Sequence, residues 1–242
     1  MKIRLVAATL LLFVLPVSAA PELRLAADDW PPYTNKHLYR YGFATALVTE
    51  ALRRAGYQSS LAIAPWGDIV AAADVDAFDA VVAAWKTKAR ENIAVFSEPY
   101  LINRFVLVQK IPTDGEAVNP DGGQLRVGVV EDYAYSEAPL QMPGAQLIPA
   151  GSVDENVRRL QTGELDYVLA DSRVAKYVID SRLLGKQLEL ANIEVANREL
   201  RMAVLTTRPD AAEIVAAFNT SLAAMRADGS YNAILNSFRV SE

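Results

Sequence analysis

The chain is expected to fold as two α/β lobes with parallel strands. Short apolar strands alternate with amphipathic helices along its length, and one strand-opening pattern occurs twice. That pattern is an amphipathic helix, a short acidic turn and a buried strand begun by Asp: FDAVVAAW at 78–85 and LDYVLADS at 165–172. The C-terminal ends of these strands, at Ala84 and Trp85 and at Asp171 and Ser172, lie where open α/β sheets present ligand-contacting groups. Two such units facing each other would enclose a cleft.

The elements follow in order. Residues 22–27 read as a strand, and 41–55 as a helix whose stripe is Phe43, Leu47, Val48, Ala51, Leu52 and Ala55, ended by Gly56. A strand at 57–64, a short helix at 67–73 and the buried strand 78–84 complete the first unit. The second unit has strands at 104–110, 124–130, 145–149 and 166–170 and a helix over 153–161. Ser152 stands three residues before Glu155, the spacing of a capping box, and Gly163 closes the helix. A strand at 200–206, a helix running from Pro209 to about Ala227 and a short one with Tyr231, Ile234 and Phe238 finish the chain. The loop-rich stretch 111–123, with PTDGEAVNPDGG, reads as an exposed connection.

The first residues set the compartment. Lys2 and Arg4, an apolar run from Leu5 to Leu15, Pro16 and the small residues to Ala20 have the layout of a signal peptide, with cleavage after Ala19. The apolar run is too short for a membrane span, and no cysteine follows it to carry a lipid. A protein delivered to the periplasm is expected, with no second span before Glu242. The chain has no cysteine, so burial alone must hold the fold. A formal charge of −5 and the lack of a basic run with aromatics argue against nucleic acid and anionic membranes as partners.

Five segments resemble, in order, the type II periplasmic solute-binding proteins of the polar amino-acid class. They are DDWPPY at 28–33, TKAR at 87–90, FSEPY at 96–100, GELDYVLADSRVA at 163–175 and MRADGSYNAIL at 225–235. The resemblance implies two α/β lobes joined by two crossing hinge strands. Lobe 1 would be 20–102 plus 200–242 and lobe 2 would be 103–199. It also implies a monomer that closes on a small ligand, an amino acid or related carboxylate, and delivers it to the membrane permease of an ABC importer, without a cofactor.

An amino acid presents a carboxylate and an ammonium, so its receptor needs a fork donor and a fixed anion. Arg90 can hold the carboxylate bidentately, and Asp171 can accept the ammonium. By resemblance both fall on the family's binding positions. Read on their own, Arg90 is also a surface residue of a charged turn and Asp171 also the N-cap of a helix starting at Ser172. Trp30, Tyr33 and Trp85 at strand ends of lobe 1, and Tyr133 and Tyr135 after a strand of lobe 2, offer rigid amphipathic walls. Ala84 and Ala134 lie beside them as further contacts, and Trp66 is a candidate wall. Two departures stand out. The hydroxyl-rich segment before Thr-x-x-Arg is here Ala83, Ala84, Trp85 and Lys86, and the acidic positions opening the first helix are Ala44, Thr45 and Ala46.

Hydrolytic catalysis is poorly supported. The single histidine, His37, sits in a turn, and there is no GxSxG, no zinc ligand set and no phosphate loop. One enzymatic alternative shares the fold: a cyclohexadienyl dehydratase-like enzyme, for which Glu131, Asp132 and Asp171 are candidate acids or bases by position. Lys86 and Glu131 could each read a charged ligand side chain.

Overall fold

The computed structural model describes residues 20–73, 75, 77–112, 123–131, 133 and 144–238, with the backbone alone at 192–194. The leader 1–19, most of the loop 111–123, and Asp132, Ala134 and Tyr135 lie outside the described residues. Strands β1 (Glu22–Ala27), β2 (Gln58–Ile63), β3 (Ala80–Trp85) and β4 (Ala94–Phe96) alternate with helices α1 (Phe43–Arg54), α2 (Trp66–Ala72) and α3 (Lys88–Glu91). Strands β5 (Leu101–Lys110), β6 (Leu125–Val130), β7 (Ala145–Ala150) and β8 (Tyr167–Asp171) follow, with α4 (Val153–Thr162) and α5 (Ser172–Ser181). The chain returns through β9 (Leu188–Leu205), α6 (Ala211–Ala227) and α7 (Ser230–Ser237).

The strands form one curled sheet in the order β2-β1-β3-β9-β5-β8-β6-β7, with β4 also on β9. Parallel pairing is confined to β1 with β2 and β3, and to β6 with β7 and β8. Strands β5 and β9 are antiparallel to each other from Leu101 opposite Leu200 to Lys110 opposite Leu188, and they carry the sheet from one α/β unit to the other. The sheet is therefore mixed, and β9 begins at Leu188, well before the expected residue 200. Helices α1, α6 and α7 pack together over one unit, and α4 and α5 over the other. The stripe Phe43, Leu47 and Leu52 meets Phe218, Leu222 and Met225 in a continuous core. Each such buried side chain contributes roughly 1.5–3 kcal/mol. Ala44, Thr45 and Ala46 are buried in this packing.

The repeated Asp has a physical reason. At the start of β3, Asp79 accepts the backbone N–H of Arg24 at 2.6 Å and its guanidinium at 3.2 and 2.9 Å. Leading into β8, Asp166 does the same for Arg126 at 2.7, 3.1 and 2.8 Å. Each pair locks a strand end to its parallel neighbour. Burial opposes ionisation of Asp79, yet Arg24 and Arg208 outweigh it and hold the carboxyl below its ordinary value. Arg126 does likewise for Asp166. Elsewhere, Ser152 caps α4 by accepting from Glu155 N at 3.1 Å, the Glu155 carboxylate returns to Gly151 N, and Gly163 ends the helix at φ 84°.

Asp79→Ala and Asp166→Ala are each expected to lower the unfolding free energy by about 1–3 kcal/mol, because backbone and guanidinium donors lose their acceptor. With no shared partner, the double variant should lose the sum within about 0.5 kcal/mol in urea denaturation. Both carboxyls are held below their ordinary values, so this stabilisation is complete above about pH 4 and is lost as the pH falls through the folded-state values. Wild type and variants should converge on acidification.

Candidate functional site

The cleft-facing groups hang on a loop that α1 holds in place. Gly42 adopts φ 98°, and a Cβ there would stand 2.3 Å from Tyr33 O, so only glycine permits the close approach. The approach lets Phe43 N and Ala44 N donate to Pro32 O and Tyr33 O. Trp30 and Thr34 exchange backbone hydrogen bonds at 2.8 and 3.0 Å, and Thr34 Oγ1 donates to Asp28 O. Trp30 stacks on Tyr33 with ring centroids 4.2 Å apart.

Against this face comes one residue from beyond β6. The Tyr133 ring stands edge-on to Trp30, Trp66 and Trp85, with centroids at 6.3, 6.5 and 5.4 Å and interplanar angles of 85° to 88°. Its hydroxyl donates to Asp28 Oδ2 at 2.7 Å. Beside them opens a small cavity of about 20 Å³ lined by the tryptophans, Asp28, Arg90 and Tyr133, with Ala83, Ala84 and Leu200 completing the wall. Arg90 is positioned by a hydrogen bond to Trp85 O at 3.0 Å and by stacking over Trp66 at 4.7 Å. The Thr87 hydroxyl caps its short helix by accepting from Arg90 N.

Five of the expected residues thus meet at the cavity: Trp30, Ala84, Trp85, Arg90 and Tyr133. Asp171 and Tyr33 are adjacent but stand outside its lining. Asp171 caps α5, accepting from Arg173 N and Val174 N at 2.9 and 3.1 Å. Its other oxygen accepts from Tyr33 Oη, Asn103 Nδ2 and Arg104 N at 3.0 to 3.2 Å. Glu131 and His37 are exposed, and Lys86 pairs with Glu91 at 2.7 Å.

Asp28 was not singled out from the sequence. Its signal was its position at the C-terminal end of β1, next to the strand end that carries Ala84 and Trp85. Burial pushes its carboxyl up to about 6; the Tyr133 hydrogen bond and Arg90 pull it down, and neighbouring Asp29 pushes it up.

The profile of the bacterial extracellular solute-binding proteins, family 3, matches residues 23–240. The chain belongs to that family. Several solved structures are similar to this solute-binding protein. The periplasmic VFT2 domain of BvgS from Bordetella pertussis has a TM-score of 0.75 and 20% identity, covering 90% of this chain and 93% of that one. The His/Glu/Gln/Arg/opine family-binding protein from Silicibacter pomeroyi, in complex with lysine, has 0.72 and 19%, covering 89% and 95%. The GluR0 ligand-binding core from Nostoc punctiforme, with L-glutamate, has 0.72 and 18%, covering 89% and 98%. At these identities the likeness shows the fold, two α/β lobes. No curated protein matches the sequence. No helix among the described residues of this family member is long and apolar enough to cross a membrane.

Asp28 is expected to titrate near pH 6 in the folded protein. A carboxyl raised above its unfolded value contributes stability that is full below about pH 4 and lost as the pH rises through about 6. Stability curves of wild type and Asp28→Asn should therefore diverge between pH 4 and 7, by up to about 3 kcal/mol in favour of the variant. Parallel curves would show that Asp28 has an ordinary carboxyl.

Proposed function

We propose that this solute-binding protein captures an amino acid or a related carboxylate between its lobes in the periplasm and hands it to the permease of an ABC importer. The observation that carries the reading is the insertion of Tyr133 among Trp30, Trp66 and Trp85 beside Asp28 and Arg90. Residues from both units build one site. Taking 20–102 plus 200–242 as one lobe and 103–199 as the other, the first supplies the charges and the tryptophans and the second supplies Tyr133.

The ligand docks on the first lobe, its carboxylate on the Arg90 fork and its ammonium beside Asp28. The second lobe then swings about β5 and β9 and places Tyr133 over it. Closure excludes water and strengthens the charge pairing. In this scheme Asp171 accepts from Tyr33 and helix α5 and fixes the closed geometry. The lysine and L-glutamate complexes among similar structures support an amino-acid ligand. Removal of residues 1–19 on export and a monomeric state complete the proposal. The carboxylates weighed for a dehydratase do not gather at the cavity among the described residues: Glu131 is exposed and Asp171 is consumed by its five donors.

Calorimetric titration of the mature protein, stripped of ligand by unfolding and refolding, against the common amino acids tests the reading. Arg90→Ala should weaken binding of any ligand found by about 100-fold or more, since a bidentate charge-assisted pair is lost, while the circular dichroism spectrum stays unchanged. Retained affinity would remove Arg90 from the site, and turnover of prephenate or arogenate would make the protein an enzyme.

A further inference from the structure

A second cavity, of about 450 Å³, opens where the chain crosses between the two units, and the described residues of its lining are all different from those of the tryptophan cavity. Its volume falls within the roughly 300–1,000 Å³ typical of small-molecule sites. Three guanidiniums stand around it: Arg104 from β5, Arg173 from α5 and Arg226 from α6. Among the described residues of the lining, Glu98 is the one carboxylate. The formal charge of the whole chain is −5, so this excess of cations is a local feature of the cavity. The rest of the wall is apolar. Pro99 and the Tyr231 ring line it, and Ile102, a large aliphatic side chain, is 46% exposed there.

Two of the cations are held by the fold itself. Arg226 Nη2 donates to Pro99 O at 2.8 Å, and its guanidinium lies 5.3 Å from the centre of the Tyr231 ring. Tyr231 is anchored in turn by its hydroxyl, which donates to Tyr100 O at 2.6 Å. Arg173 Nη1 donates to Ile102 O at 3.0 Å and to Tyr33 Oη at 3.3 Å. Arg104 is exposed, and its backbone N–H is fixed on Asp171 Oδ2 at 3.2 Å. A guanidinium has five N–H donors in a planar fork, so Arg226 can meet an acidic group while its bond to Pro99 O stands. Asp171 offsets part of the Arg173 charge, which leaves Arg104 and Arg226 the larger share of the attraction. Groups positioned in advance lose less entropy on binding.

We propose that this cavity is a second binding site, for a small organic dianion whose apolar body lies against Pro99, Ile102 and Tyr231 and whose carboxylate or phosphate groups meet Arg104, Arg226 and Arg173. Arg is the side chain suited to both acidic groups, since its fork matches either geometry. On the division into 20–102 plus 200–242 and 103–199, Arg226 and Tyr231 belong to one lobe and Arg104 and Arg173 to the other. The occupant therefore joins the lobes beside the crossing strands. This inference goes beyond the reading above and stands whether or not the tryptophan cavity takes an amino acid.

The test is calorimetry of the wild-type protein with isophthalate and with phenyl phosphate, which separate a carboxylate ligand from a phosphate one. Inorganic phosphate and benzyl alcohol serve as controls that keep the charge alone and the ring alone. At least one of the ring-bearing dianions should bind, about 10-fold or more tightly than either control. Arg104→Gln and Arg226→Gln should each weaken that binding by about 10-fold or more, the loss expected of a charge-assisted hydrogen bond, with an unchanged circular dichroism spectrum. Arg90→Ala should leave it as it is. Failure of both dianions to bind overturns the inference. Inorganic phosphate binding as tightly as the ring-bearing dianions would show a bare charge patch and overturn it too. Binding that is lost in Arg90→Ala and kept in Arg104→Gln and Arg226→Gln would place the anion in the tryptophan cavity, which also contradicts a second site.

Discussion

The Asp171 carboxylate is the point through which the two units are positioned. It sits where β8 ends and α5 begins, and it gathers donors from three places. Arg173 N and Val174 N belong to its own helix, Asn103 and Arg104 to the crossing strand β5, and Tyr33 to the loop after β1. Burial pushes this carboxyl up, and the donors and the Arg173 guanidinium oppose that. Arg173 also reaches Tyr33 Oη at 3.3 Å and Ile102 O at 3.0 Å, binding the same three elements from a second direction. Because Tyr33 is stacked on Trp30, fixing its hydroxyl helps to fix that wall of the cavity. The cavity therefore inherits its shape from a polar contact outside its own lining.

The two units repeat a construction and divide the labour. Arg24 with Asp79, and Arg126 with Asp166, join equivalent strands in equivalent ways. The paired strand ends then diverge. Strand β3 ends in Ala84 and Trp85 and leads through Thr87 to Arg90, so it makes a wall and a cation. Strand β8 ends in Asp171, whose carboxylate is spent on capping and on the crossing strand. The second unit reaches the cavity instead through Tyr133, after β6.

Periodicity and end signals made most of this legible. The alternation of elements, the Ser152 cap, the Gly163 stop and the repeated Asp were all readable, since each is a local effect of backbone geometry. The first twelve residues of β9 were not. In LELANIEVANRE the charged residues interrupt the apolar alternation, and the segment is a strand because β5 lies alongside it, a long-range pairing that local pattern does not encode. Asp28 was hidden for a similar reason. Followed by Asp29 in a Pro-rich turn, it reads as a solvated acid, and only the arrival of Tyr133 and the tryptophans buries it. Asp171 shows the reverse: a strand-end Asp before a helix fits both a ligand anion and a cap, and tertiary contacts decide which of its bonds are made.

The most direct measurement is the distance between the lobes by pulsed electron–electron spin resonance. The chain has no cysteine, so Asp68→Cys on α2 and Gln146→Cys on β7, both exposed, can each carry a single spin label. If the Asp171 carboxylate positions the two units through Tyr33 and the crossing strand, the labelled protein gives one narrow distance population. Adding Asp171→Ala then broadens the distribution and moves it away from that distance. The same narrow distribution in both proteins would contradict the account, because the lobes would then be held without that carboxylate.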